Sequence, residues 1–371
     1  MPIYGTPIRS RRFHPVRPQA GRLWYLEHRP WPEPDMNSVY TFAVHRGRLF
    51  AGGRVRQGLP GPTARVLVSE DGVSWSTVNV GFQSSDNEVR RLWSSTNGYL
   101  YAATQSGTPR LYRSPDGLAN WGQLVGGLAS TDGYVRWIEE YAGSLFLGIN
   151  TDTGVAARVL RTALPAGTPP WEEVWLAPNT AIDAVNSLYA GHGWIMVTTN
   201  RAGDGDPGGI FASQTGAAAS FSKRNSAQFG AGTNIVHSLI EWRGSLWCGT
   251  QNVTLGGAIW RSDDLAQTWT KVTADGFGLG LHVEEVYRLF VWRDLLLAGA
   301  VARDGRGGSL WVSDDGQRFD RIGPFGLDLR GVDAQGIFDF CPFRGALHTS
   351  SRLTSTSDPG VTRHTRIFVE D

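Results

Sequence analysis

The chain has 371 residues, of which 41% are hydrophobic and 19% charged, with 47 glycines and 19 prolines; a packed core joined by many turns fits this balance, and disorder or a collagen-like repeat does not. Its 35 basic against 34 acidic residues leave a formal charge of +1, so there is no broad basic field for nucleic acid or an acidic membrane surface, and neither is expected as a partner. The two cysteines, Cys248 and Cys341, each sit in an apolar run, which excludes a disulfide framework and reads as two buried thiols.

Residues 1–21 carry Arg9, Arg11, Arg12 and Arg17 among Pro2, Pro7, Pro15 and Pro18 with no hydrophobic period, the pattern of an extended basic arm that is either solvated or docked on a partner. No apolar run follows those charges and no stretch approaches about 18 apolar residues, so neither a signal peptide nor a membrane span is expected, and a cytoplasmic or particle-associated protein is. Residues 22–27, including Leu23-Trp24-Tyr25-Leu26, read as a strand, and the proline-rich residues 28–34 read as a stiff link.

From about residue 37 a hairpin recurs, marked by an apolar pair ten or eleven residues apart: Val39/Leu49, Val89/Leu100, Val135/Leu145, Val185/Ile195, Val236/Leu246, Val286/Leu296 and Ile337/Leu347. Each copy reads as strand, turn with Gly or Asp, and a second strand of small residues. After the first six comes another signature, complete in Ser69-Glu70-Asp71-Gly72 with Trp75, and repeated around Ser114, Ser262 and Ser313; it is altered at Ser213-Gln214-Thr215-Gly216 and degenerate at Thr162. These Ser or Thr positions are spaced by 45, 48, 51, 49 and 51 residues, close to the roughly 40–50 of a four-stranded propeller blade. The expected fold is therefore all-β: one seven-bladed β-propeller of four-stranded blades over residues 22–371. The last blade runs out of chain after Arg366-Ile367-Phe368-Val369, so the segment at 22–27 is expected to complete it and close the ring, removing an exposed sheet edge.

The Ser-x-Asp-Gly-aromatic copies resemble the Asp-box, or BNR, repeat family of sialidase-like β-propellers from about Val39 to the C-terminus. The resemblance implies that these boxes lie on outer hairpins, on the face opposite the ligand site, so Ser69, Asp71 and Trp75 are expected to be structural. It also implies what an enzyme of this kind would need: three arginines clamping a carboxylate, for which Arg90, Arg136 and Arg288 are available; a Tyr–Glu pair, for which Tyr287 stands near Glu284 and Glu285; and an acid, Asp86 or Asp132. The family's Arg-Ile-Pro element is absent, and seven blades depart from the usual six, so no catalytic residue is assigned.

Aligning the hairpins places Tyr40, Arg90, Arg136, Asn186, His237, Tyr287 and Phe338 one residue after the first apolar anchor, and the apolar column Phe42, Leu92, Ile138, Leu188, Leu239, Leu289 and Phe340 three residues after it. The second strands end in Arg54, Gln105, Asn150, Asn200, Gln251, Val301 and Arg352. Two mostly polar columns would then meet at one channel mouth, where amides and flat aromatic faces suit a glycan or a protein. The expected site comprises Tyr40, Arg90, Arg136, Asn186, His237, Tyr287, Arg288, Gln105, Asn150, Asn200 and Gln251. Its expected work is recognition of a glycan or protein partner; the alternatives are a carbohydrate-active enzyme (glycoside hydrolase or lyase) and a structural or receptor-binding component of a phage particle. No cofactor is expected and no metal site: the eight histidines form no His-x-His or His-x-x-x-His pair, and Asp204-Gly205-Asp206 reads as a tight turn.

Overall fold

A computed structural model describes residues 23–31, 35–56, 61–124, 126–164, 166–200, 209–224, 229–230, 232–302, 304, 306–328, 334–353 and 363–370. The basic arm and the Asp204-Gly205-Asp206 turn lie outside the described residues. The fold is all-β and antiparallel, with propeller-like consecutive units. In the first, Met36–His45, Arg48–Val55, Ala64–Ser69 and Ser76–Val78 pair in chain order. The same order recurs in units led by Glu88–Ser94, Asp132–Tyr141, Val185–Gly191, Thr233–Trp242 and Glu285–Trp292. Ala334–Phe343, Ala346–Leu353 and Arg363–Glu370 follow, and Leu23–Pro30 pairs with the last of these from Leu23 opposite Glu370 to Pro30 opposite Arg363.

Neighbouring units are joined in the same way at several junctions: the end of a second strand meets the start of the next innermost strand. Gln105 pairs with Tyr134, Gln251 with Glu285, Val301 with Gly336, and Arg352 with Ser38 of the first unit. Side chains add to these links. Thr41 Oγ1 accepts from the Leu92 N–H at 3.1 Å, Ser238 Oγ from Leu289 N–H at 2.8 Å, and Asp339 Oδ2 from Phe42 N–H at 2.9 Å. Buried backbone donors are thereby satisfied across the units.

The column Phe42, Leu92, Ile138, Leu188, Leu239, Leu289 and Phe340 is buried throughout. The second strands are built of small residues because the next unit's anchor lies directly on them. A methyl group on Gly148 would fall 2.6 Å from Val185 Cγ1, and one on Gly249 only 2.3 Å from the Val286 carbonyl oxygen. Close sheet-to-sheet approach is thus written into the sequence as Gly and Ala opposite Val.

Three Ser-x-Asp turns share one hydrogen-bond pattern, and the one at Ser262 is shifted by a residue, with Ser262 Oγ accepting from Ala266 N–H. Ser69 Oγ accepts from Gly72 N–H at 2.8 Å, while Asp71 Oδ1 accepts from Val73 and Ser74 N–H, both at 2.7 Å. Ser114 with Asp116 and Ser313 with Asp315 repeat it. Burial opposes ionisation of Asp71, but the backbone donors outweigh it and hold the carboxyl well below its ordinary value. At Ser213, where Thr215 replaces the acid, its hydroxyl accepts from Ala217 N–H at 3.2 Å. Trp75 lies under its turn, 9% exposed, with its ring 5.1 Å from Trp31 and 5.2 Å from His364.

Trp75→Ala is accordingly expected to destabilise the protein by about 3–5 kcal/mol, read by denaturant unfolding, with the ligand affinity of the folded protein unchanged; an affinity loss at constant stability would contradict a structural role for this turn.

Candidate functional site

The innermost strands are irregular where the polar column stands. Their register with the second strands skips Tyr40, Arg90, Arg136, Asn186 and Tyr287, each the residue after a Val anchor. In the two other hairpins the skip covers His237 with Ser238 and Phe338 with Asp339. An extra residue in one strand breaks the strict alternation of faces and re-aims its side chain. The residue after each anchor is thereby freed from ladder pairing while the apolar column beyond it stays in the core.

Arg90, Arg136 and four aromatic residues form the upper layer. The Arg90 guanidinium lies over the Tyr40 ring at 4.4 Å and the Tyr134 ring at 4.7 Å, donates from Nε to Gln105 Oε1 at 2.7 Å, and pairs with Glu88 at 2.5 Å. Glu88 also faces Arg54 at 3.4 Å. Arg136 is held differently: Nη1 donates to the Tyr134 hydroxyl and Nη2 to the Tyr287 hydroxyl, each at 3.1 Å. Asn150 Nδ2 donates to the same Tyr134 oxygen at 2.9 Å. Tyr287 in turn packs against His237 and Phe338, both with ring centres 4.8 Å away. Next to them, His237 Nε2 lies 3.2 Å from Glu285, and Gln251 Nε2 donates to Glu284 at 2.7 Å and to Glu285 at 2.9 Å.

Arg136 has no carboxylate within ion-pair distance among the described residues. Burial disfavours its charge, but the Tyr287 and Tyr134 oxygens and Glu285 hold its pKa above the ordinary value. The converse acts on Tyr134: burial would raise its phenol, yet Arg136 and Arg90 bring it below the usual range. Two buried amide atoms, Asn150 Oδ1 and Asn186 Nδ2, have no hydrogen-bond partner among the described residues, and these residues are only 6% and 4% exposed.

A second layer lies along the same strands, one residue further on. Arg91 stacks on the Trp137 ring at 4.0 Å and Arg288 on the same ring at 4.5 Å, with Arg288 Nε 3.2 Å from Asp339. Burial depresses Arg91 to about 10, against the pull of Asp339. Glu139, two residues past Trp137, is raised by burial to about 7, a shift that the nearby Arg91 and Arg288 limit.

The sequence-derived residues thus divide. Tyr40, Arg90 and Gln105, the pair Arg136 and Tyr287, and Asn150 are brought together through Tyr134; His237 adjoins them through Tyr287, and Gln251 through Glu285 and His237. Arg288 belongs to the second layer, so the three arginines named from the sequence do not form one clamp. Asn186 is buried beside its anchor. The Asn200 side chain works within its own unit, donating to Asp183 at 2.6 Å and accepting from Ala184 N–H at 3.0 Å, while its backbone bridges to Ile235 of the next. Tyr134, Glu88, Arg91 and Trp137 fall outside the aligned polar columns; Tyr134 precedes an anchor, and Arg91 and Trp137 stand two residues after one. The acids considered for catalysis are tied into the scaffold. Asp86 accepts from Thr104, Arg110 and Tyr112, and Asp132 takes a two-point bond from Arg158 at 3.0 and 2.6 Å.

No known family model matches the chain, and no curated protein sequence does. Solved structures do. "YCF48 bound to D1 peptide" superposes with a TM-score of 0.62 at 13% identity, covering 93% of this chain and 97% of that one. YCF48 from Cyanidioschyzon merolae gives 0.59 at 12% identity over 92% and 98%. A GH74 xyloglucanase from Xanthomonas campestris gives 0.53 at 12% identity, covering 91% of this chain but 55% of its own. At these identities the likeness establishes the all-β, propeller-like fold. Among the described residues no helix is long and apolar enough to cross a membrane.

Because the folded chain holds the Glu139 proton more tightly than the unfolded chain, stability is expected to fall as pH rises from about 4.5 to about 7. Glu139→Gln removes that slope. Its melting temperature relative to the native protein should therefore rise between pH 5 and pH 8, and a constant difference would contradict the burial of this carboxyl.

Proposed function

We propose that the chain is a seven-bladed propeller, closed by Leu23–Pro30, that recognises a peptide segment of a protein partner at the tyrosine–arginine mouth and carries out no chemistry there. The observation that carries this reading is the Arg136 guanidinium, held by two tyrosine hydroxyls and facing no carboxylate among the described residues. Glu285 supports its charge from beyond ion-pair distance, and an acidic side chain or chain terminus from a partner offers the direct bidentate acceptor that a guanidinium fits. Tyr40, Tyr134 and Tyr287 add broad faces and hydroxyls of low conformational-entropy cost, the composition of a recognition surface. The solved YCF48 complex, similar in fold over nearly the whole chain, holds a peptide.

Two observations speak against glycosidic chemistry. Asp86 and Asp132 are both engaged by arginines, and Arg288 sits on Trp137 apart from Arg90 and Arg136. A carbohydrate-active site would require an available acid and base.

The test is selection from a library of random peptides on the immobilised full chain, followed by calorimetry with the best binder. Arg136→Ala is expected to weaken that binder at least tenfold with little change in melting temperature; unchanged affinity in both Arg136→Ala and Arg90→Ala would remove the mouth as the site.

A further inference from the structure

Among the described residues, the large hydrophobic side chains that stand exposed are Val44, Leu118, Leu176, Val253, Leu255, Leu279 and Leu281. The last four belong to two touching loops. Residues 253–257 follow the strand Ser245–Asn252, and residues 272–284 precede the strand Glu285–Trp292. Because Gln251 pairs with Glu285 at the adjoining strand ends, both loops lie at the same end of the sheets as the tyrosine–arginine mouth. Val253 and Leu255 are each 48% exposed, Leu279 37% and Leu281 49%. No charged residue occurs in 253–257 or 276–281.

The two loops are fastened into one platform. Gly257 N–H donates to Val283 at 2.8 Å, Gly276 N–H to Gly257 at 2.8 Å, and Asn252 Oδ1 accepts from the Thr254 and Leu255 N–H groups, both at 2.9 Å. A methyl on Gly256 would lie 2.4 Å from the Gly280 carbonyl oxygen, so the backbones are in contact. Phe277, at φ +56°, is held in a left-handed conformation that costs free energy in a bulky residue. It keeps that conformation while stacked on Trp311, ring centres 4.2 Å apart and planes 3° from parallel. The leucines are therefore presented by a rigid backbone, and a preorganised surface loses little entropy on binding.

We infer that this platform is the second half of the peptide site: an apolar shelf that receives Leu-, Ile-, Phe- or Met-type side chains of a peptide whose neighbouring carboxylate lies on Arg136. The inference rests on the recognition reading above and adds the class of peptide. Continuity favours this occupant, since Gln251, Glu285, His237 and Tyr287 form an unbroken series of contacts from the shelf loops to Arg136. So does complementarity: an uncharged apolar surface linked through that series to a guanidinium with no carboxylate in ion-pair distance among the described residues matches a segment that is apolar at one point and acidic at another. Exposed apolar patches beside a polar site commonly mark such contacts.

The experiment is phage selection of random dodecapeptides on the full-length native chain, on Leu255→Ser combined with Leu281→Ser, and on Arg136→Ala, with melting temperatures and sedimentation recorded for each. The native chain should enrich peptides carrying an acidic residue or terminus within about five residues of a large apolar one. The double serine variant should lose the apolar preference, keep the acidic one, and bind the best native-selected peptide about tenfold or more weakly. Unchanged apolar preference and affinity in that variant overturn the shelf while leaving the mouth in place. Loss of affinity in the serine variant with none in Arg136→Ala supports the shelf and overturns the mouth. Enrichment of no peptide by the native chain overturns both. A native dimer that the serine substitutions dissolve assigns the leucines to contact between copies and overturns the shelf.

Discussion

The site depends on one local departure from strand geometry, the extra residue after the anchor of each innermost strand. In a regular ladder the residue after Val89 or Val135 would pair across the sheet and its side chain would follow the alternation. The bulge instead leaves Arg90 and Arg136 outside the pairing while Leu92 and Ile138 remain in the core. Repeated in successive units, this converts a column of chemically unlike residues into a common layer. The scaffold beneath can then stay uniform: Val on Gly or Ala between sheets, Ser and Asp in the outer turns. Variation stands at the bulge, at the residue after it, at the second-strand ends and in the loops between strands.

Charge is distributed unevenly between the two layers that result. Arg90 and Arg54 share Glu88, and Arg288 faces Asp339. Arg136 and Arg91 rest on aromatic groups instead, Arg136 on tyrosine hydroxyls and Arg91 on the face of Trp137. Cation–π and hydroxyl contacts soften desolvation without cancelling the charge. Arg91 is buried deeply enough to be depressed to about 10 and reads as a strut within the second layer, whereas Arg136 lies in the upper layer with Arg90 and shares the Tyr134 hydroxyl with Asn150. Arg91 and Arg136, on different innermost strands, thus differ in the layer they occupy.

Much of this was legible in the sequence, for identifiable reasons. The recurrence near 50 residues, the small-residue second strands and the Ser-x-Asp turns are backbone requirements repeated in most units, so they survive as pattern. The polar column was legible because the bulge falls at a fixed distance from an apolar anchor. What periodicity could not supply was direction. Tyr134 and Trp137 flank Arg136 in sequence and look like neighbours on opposite faces, yet one joins the upper layer and the other the second. Likewise Asp86 and Asp132 read as available acids because their partners, Arg110 and Arg158, stand 24 and 26 residues away. Asn200 shared its column position with Gln105 and Asn150, but a nearby Asp183 draws its amide into the local loop. The leucines of residues 253–281 escaped notice because they belong to two loops that no repeat relates.

The central claim, that the bulge-bearing end of the propeller is a peptide-recognition surface organised around Arg136, is tested most directly by amide hydrogen exchange of the full chain with and without a library-selected peptide. The account predicts slowed exchange in segments 134–137, 251–257 and 276–288, with none at the Ser-x-Asp turns around Ser69, Ser114 and Ser313. Protection concentrated at those turns, with the mouth segments unchanged, would contradict it.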